Sequence, residues 1–336
     1  MNQHLTTTTK SLSILCLALT LTACGSSESE TTPSGTDQQN HQGDQTTPQT
    51  PDLSSIYDRI PDIASCDQGS LKTEEKQKAL NTLNQIRALH GLKAVNYYSP
   101  DDVYTEKSAL ITVANAQLSH TPDTDAKCYT NDGKLGSEKS NLHFSAVQGS
   151  FTEIEASDKS IIEFLIDEGV DNLGHRRWLI NPFLDHVSYG RVDGKPSVDT
   201  PWDFVTGVSL KVINDENADL SDTTIEYIAY PYGNYPAGYF QHGWFMSFSV
   251  LADKMDFWGN QDTVDFSNAG ITVSDENDQA LKVHNVSYDN TAYGLPNFLQ
   301  WKVDGTVSNQ EYTVKIQNVV VSNQTKNYEY TFTIQE

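Results

Sequence analysis

The sequence predicts a mixed α/β region followed by an all-β region, and three observations carry that expectation. Between residues 73 and 118 apolar residues recur at three- and four-residue spacing, the pattern of amphipathic helices. From about Val208 the period falls to two, in runs such as "VSLKVIN", "TIEYIAYP", "WFMSFSVL" and "YTVKIQNVVV" separated by Asn, Asp and Gly turns, as in a β-sandwich. With 336 residues, 37% of them hydrophobic and 10% aromatic, the chain has enough apolar material for two domains of ordinary size.

The N-terminus stands apart. "SLSILCLALTLTAC" (Ser11 to Cys24) is apolar, follows Lys10, and is short for a membrane span, so residues 1–23 read as a secretory signal peptide. Its end, Leu21-Thr22-Ala23-Cys24, resembles a bacterial lipobox, which makes Cys24 the expected lipidation site. Residues 24–55 are rich in Ser, Thr, Gln, Pro and Gly and read as a disordered tether. The expectation is an exported protein, lipid-anchored to the cell envelope, with the membrane as its partner through that lipid. Gly25 is not an aspartate retention signal, so the outer membrane is the expected destination if the source is Gram-negative. A formal net charge of −23 repels phosphate backbones and excludes nucleic acid as a partner.

Cys66 and Cys128 form an even pair in an exported chain, which predicts a disulfide. Closing a loop of that length stabilises a fold by ~4 kcal/mol in the chain-entropy model. The first helix is expected over "TEEKQKALNTLNQIRALHGL", capped by Thr73, with Glu74 and Glu75 in its first turn and Gly91 at its end. The second runs through "SPDDVYTEKSALITVANAQL", with Ser99 as cap and Pro100 at the first helical position, and stops before Pro122. Residues 126–150, polar and glycine-containing, read as a long surface loop held by Cys128. A short third helix follows in "SDKSIIEFLIDEG", capped by Ser157 or Asp158. A border between domains is expected near "YPYGNYPAGY", residues 230–239.

Two histidines follow apolar helices, His120 in "LSHTP" and His175 in "LGHRRW", and both could line one cleft as zinc ligands or a general base. The chain lacks a Gly-x-Ser-x-Gly elbow and a phosphate-cradling glycine loop, which disfavours serine-hydrolase and nucleotide chemistry. Arg176 and Arg177 either bind an anion or pair with a carboxylate while Trp178 packs in the core.

Taken together, "LNQIRALHGLKAV", "LSHTP", "CYTNDGKLGSEKSNL" and "IIEFLIDEGVDNLGHRRWLINP" resemble the CAP superfamily (cysteine-rich secretory proteins, antigen 5 and pathogenesis-related 1), in its bacterial SCP-like branch. The resemblance covers residues 72–230 and implies an α-β-α sandwich with a central cleft; residues 236–336 are similar to the immunoglobulin-like β-sandwich that follows some bacterial members. The family's cleft holds two histidines and two acids able to bind a divalent metal such as zinc. Carried over, these are His120, His175 and Asp167, the last following Phe164 by three. The sequence departs from the family at Ser140-Asn141-Leu142, where the usual motif is Glu-Asn-Leu, leaving Glu138, His143 or Asp171 as substitute ligands. Asn141, Arg176, Arg177 and Trp178 fall at structural positions of the motifs.

Three functions follow as expectations. The first is a binding module whose cleft engages a small apolar ligand, a cell-wall component or a protein. The second is a metal-assisted hydrolase with Glu168 or Asp171 as base. The third is an adhesion or spacer protein that exposes Tyr239, Phe240, Trp244 and Phe245.

Overall fold

A computed structural model of the chain describes residues 51–149 and 153–336. The signal peptide, Cys24 and all but the last residues of the tether lie outside the described residues. Within it, Pro51 and Leu53 are already buried, so packed structure begins ahead of the boundary expected at residue 55.

A strand pair, β1 (Tyr57–Arg59) and β2 (Ser70–Leu71), precedes helix α1 (Thr73–Leu89), the short β3 (Asn96–Tyr97) and α2 (Asp102–Asn115). Then come α3 (Asn131–Glu138), β4 (Ser140–Val147), α4 (Lys159–Ile166), α5 (Gly174–Leu179), β5 (His186–Gly194) and β6 (Phe204–Lys211). The chain closes with β7 (Tyr227–Tyr230), β8 (Gly233–Pro236), β9 (Met246–Val250), α6 (Gly259–Thr263), β10 (Val264–Asp265), β11 (Gly270–Asp275), β12 (Val283–Asp289), β13 (Phe298–Val303), β14 (Glu311–Val321) and β15 (Gln324–Gln335). The fold is therefore mixed α/β with several sheets. None of the described helices is long and apolar enough to cross a membrane.

The first sheet runs β3-β5-β6-β4, with β3 parallel to β5 and the other pairs antiparallel. Successive side chains on a strand face opposite ways, and the two faces of β5 are dressed differently. Val192 faces the α2 residues Ala109, Leu110 and Val113. Gly190 lets α2 come close, because a Cβ there would collide with the backbone of Thr105 and Glu106. On the alternate positions, Tyr189 donates to the Ser157 carbonyl ahead of α4, while Arg191 pairs with Asp193. Helices thus cover both faces of this sheet.

The other strands form two sheets, β12-β13-β9-β7 and β10-β14-β15-β8 with β11 on β14. They meet through aromatic rings, Tyr227 and Phe248 of the first against Tyr328 of the second at 5.6 and 5.1 Å. These sheets and the α/β region belong to one compact unit. The disulfide between Cys66 and Cys128 is formed, with Cα atoms 5.2 Å apart.

Several expectations need correction. Residues 126–150 are not a surface loop, since α3 and β4 occupy most of them. The glycines that read as breakers are close-approach positions: a Cβ at Gly136 would strike the Tyr104 carbonyl of α2. Helix α2 ends at Asn115 because Ala116 turns left-handed (φ 47°), and Leu118 is exposed. "VSLKVIN" does not open the β-rich series; it overlaps β6, a central strand of the first sheet buried along its whole length. Strand β7 already pairs with β9, so the later sheets begin ahead of Tyr230. The proposed aromatic patch is interior: Phe240 and Phe245 are buried, and Tyr239 and Trp244 pack against the core.

Candidate functional site

Helix α4 ends where Asp167 takes a left-handed conformation (φ 56°), uncommon for a non-glycine residue. Its carboxylate makes the turn productive. Oδ2 accepts the backbone N–H groups of His175 (2.9 Å) and Arg176 (3.3 Å), the donors that the start of α5 leaves unpaired. Oδ1 accepts the His175 ring Nδ1 at 2.7 Å. The Asp167 carbonyl in turn accepts Trp244 Nε1 at 3.2 Å. A carboxylate oxygen in this role accepts, so Nδ1 carries the proton and Nε2 of neutral His175 keeps its lone pair. None of the described residues hydrogen-bonds that Nε2. The Asp167 side chain is 1% exposed and that of His175 21%, so a buried acid orients a partly open base.

His120 is held by the same logic. Its Nδ1 lies 2.9 Å from the Ser137 carbonyl, near the end of α3, which again leaves Nε2 as the acceptor. Four residues later, Asn141 Nδ2 donates to the His175 carbonyl at 3.1 Å. Both histidines are therefore tied to one stretch, residues 137–141, which spans at most about 14 Å even when extended.

The other expected ligands disperse. Glu138 is exposed and pairs with Lys134 at 3.3 Å. Glu168 and Asp171 are exposed, and the Asp171 carbonyl accepts Gln300 Nε2 at 2.8 Å. Ser140 is buried with its Oγ unpaired. Among the described residues His120, His175 and Asp167 do not gather as one three-donor group, and both Asp167 oxygens are engaged around α5.

His143 turns toward α4. Its Nδ1 lies 3.0 Å from Glu163, and its Nε2 3.5 Å from Glu155. Burial would push the imidazole down, but the two carboxylates outweigh it and raise its pKa to about 9. Burial likewise acts to raise Glu155, and His143 and Lys159 prevail, holding it at about 2. The ring of Phe164 stands between this cluster and His175, with centroids 6.4 Å from His143 and 5.0 Å from His175. The sequence offers no signal for Glu155 and Glu163. Their four-residue spacing from Lys159 reads as an ordinary charged helix face, and nothing local links them to a strand histidine.

Arg176 and Arg177 fasten α5 to the later sheets. Arg176, fully buried, donates to the carbonyls of Leu165 (2.7 Å), Ile166 (2.7 Å) and Phe245 (2.8 Å), and lies over the Tyr230 ring. Arg177 forms a two-pronged pair with Asp289 (3.0 and 2.6 Å) over the Phe298 ring. Trp178 is half-buried against Tyr293. Of the two roles open to these arginines, carboxylate pairing is the one present, at Arg177 and across 112 residues of chain.

The sequence matches no protein-family model, and no curated protein shows significant similarity to it.

Proposed function

We propose that this chain is an exported, lipid-anchored binding module of the CAP kind that its sequence resembles, with residues 72–230 as the recognition domain and 236–336 as an appended β-sandwich. Its ligand is a cell-wall component rich in hydroxyl and amide donors. The observation that carries the reading is the pair of oriented histidines. His175 and His120 each have Nδ1 tied to a fixed oxygen acceptor, so each offers an Nε2 lone pair from a settled ring. Among the described residues no hydroxyl or thiol hydrogen-bonds either Nε2, where a nucleophile would have to sit, which favours recognition over covalent chemistry.

Cosedimentation of the full-length protein with isolated peptidoglycan sacculi tests this. The wild type should pellet, and His120→Gln and His175→Gln should each weaken binding by about tenfold, the scale of one hydrogen bond to a buried partner. A wild type that stays in solution, or variants that pellet equally well, would overturn it. A second reading is supported by Asp167 standing behind His175, which is also how a general base is oriented. Release of soluble fragments from the same sacculi, abolished in Asp167→Asn, would move the assignment to a hydrolase.

A further inference from the structure

We infer that His143, Glu155 and Glu163 form a divalent-cation site of the zinc type, separate from His120 and His175 and sharing no donor with them. One imidazole nitrogen and one oxygen from each glutamate lie within 4.8 Å of one another. The closest approaches between histidine and glutamates are 3.0 and 3.5 Å. A four-coordinate ion with bonds of about 2.0–2.2 Å separates its donors by about 3.4 Å, so small side-chain rotations suffice to close the group on an ion. One imidazole and two carboxylates is also a donor set that zinc accepts, with a fourth position left for water.

The fold has prepared these donors. Residues 141, 143 and 145 alternate onto one face of β4; Asn141 reaches α5, and His143 reaches Glu163 on α4. Ser145 Oγ donates to Glu155 Oε2 at 3.0 Å, the oxygen that lies nearest the imidazole, as an outer partner orients a metal ligand. The His143 side chain is only 11% exposed, and its Nε2 is buried without a hydrogen bond. Its nearest acceptor is the Glu155 carboxylate at 3.5 Å, the outer limit of a hydrogen bond, so the atom is under-satisfied.

A cation is already drawn to the spot. The Lys159 ammonium sits 2.9 Å from Glu155 Oε1 and 3.3 Å from Glu163 Oε1, while its side chain is 59% exposed. It stands on the solvent side of the two carboxylates, where a long flexible chain can leave at little cost. An open depression lined by Ser145, Glu155 and Lys159 brings solvent to one of the three donors, Glu155. Lys159 is thus a displaceable placeholder for a more compact charge.

Calorimetric titration of the chelator-treated full-length protein with zinc chloride tests the site, with circular dichroism to establish that each variant is folded. One equivalent should bind with micromolar affinity or better, and cobalt(II) should give the visible absorption of a tetrahedral complex. His143→Ala, Glu155→Gln and Glu163→Gln should each weaken binding by more than ~10-fold, and Lys159→Met should bind at least as tightly as the wild type. The inference is overturned if folded wild type takes up no zinc, if binding survives loss of His143 and Glu163, if Lys159→Met binds more weakly, or if His120→Ala or His175→Ala abolishes uptake while His143→Ala does not. None of these outcomes bears on whether the protein pellets with sacculi, so this inference and the proposed recognition role fail separately.

Discussion

Around β5 and β6 the interior is polar at its centre, whereas across β9, β14 and β15 it is ring against ring. In the first region Asp193, fully buried, accepts from Arg191 Nε (2.7 Å), Arg191 Nη2 (3.0 Å), Tyr57 Oη (2.6 Å) and Thr206 Oγ1 (2.5 Å). Arg87, also buried, lacks a carboxylate among its hydrogen-bond partners; it clasps the carbonyls of Lys93, Leu179 and Asn181, and burial lowers its pKa to about 9. In the second region Tyr227 stacks on Phe248 at 5.2 Å and Tyr312 on Phe332 at 5.2 Å, while the ion pairs Lys282–Asp304 and Lys315–Glu329 lie at the surface. A polar centre depends on atoms at particular places, because losing one partner strands another in low dielectric. A ring-packed centre depends on volume and area, and it yields gradually when trimmed. The candidate site belongs to the first kind.

The sharpest break of this comparison is an isosteric one. Asp193→Asn keeps shape but removes the charge facing Arg191, and should cost about 3–5 kcal/mol in urea unfolding, the scale for stranding one member of a buried pair. A loss under about 1 kcal/mol would mean that the pair is dispensable and that the two interiors are alike.

Next in size is acid sensitivity at the seam between the regions. His90, at the end of α1, lies 2.8 Å from the Ala229 carbonyl through Nδ1 and 3.1 Å from Tyr235 Oη through Nε2. Burial, aided by the positive charges of Arg176 and Arg87, lowers its pKa to about 4. The unfolded chain takes up this proton near pH 6.5 and the folded chain resists until about 4, so the His90 contribution is whole above 6.5 and lost as pH falls through that window. The loss should approach about 3 kcal/mol. His90→Gln should flatten the slope of stability against pH between 6.5 and 4; an unchanged slope would show that other groups set it.

In the ring-packed region, Ile316→Val should cost only about 1 kcal/mol. A cost matching that of Asp193→Asn would remove the contrast. The smallest effect is expected of Trp244→Phe, which keeps a ring near Lys302 but deletes the donor to the Asp167 carbonyl. About 1 kcal/mol or less of stability should go, with a shifted His175 imidazole resonance as the more telling readout.

Local signals were legible and long-range partnerships were not. The apolar spacing and acidic first turn of α1 were readable, and the Asn84 and Arg87 of "LNQIRAL" proved to be the side chains that clasp the chain after the helix, at Val95 and Lys93. The disulfide was legible from the even pair Cys66 and Cys128. Helix α3 and strand β4 escaped notice because Gly133 and Gly136 look like interruptions, while their purpose, contact with α2, appears only when two elements are docked. With β4 unassigned, the alternation that sends Asn141 and His143 to one face could not be used. His143 therefore stood as a spare ligand for His120 and His175, whereas it faces Glu155 and Glu163. The partner of Arg177 lies 112 residues downstream, beyond the reach of any local pattern.

The fastening of α5 also sets an order of events during synthesis. A ribosome releases the N-terminal side first, so Cys66 and Cys128 emerge ahead of α5. Arg176 then waits for the Phe245 carbonyl, and Arg177 for the Asp289 carboxylate. Until residue 289 emerges, Arg177 lacks its carboxylate, and before residue 245 Arg176 has only the Leu165 and Ile166 carbonyls to hold it. A fragment truncated ahead of β7 would keep that condition permanently, and chaperone capture or proteolysis is its expected fate.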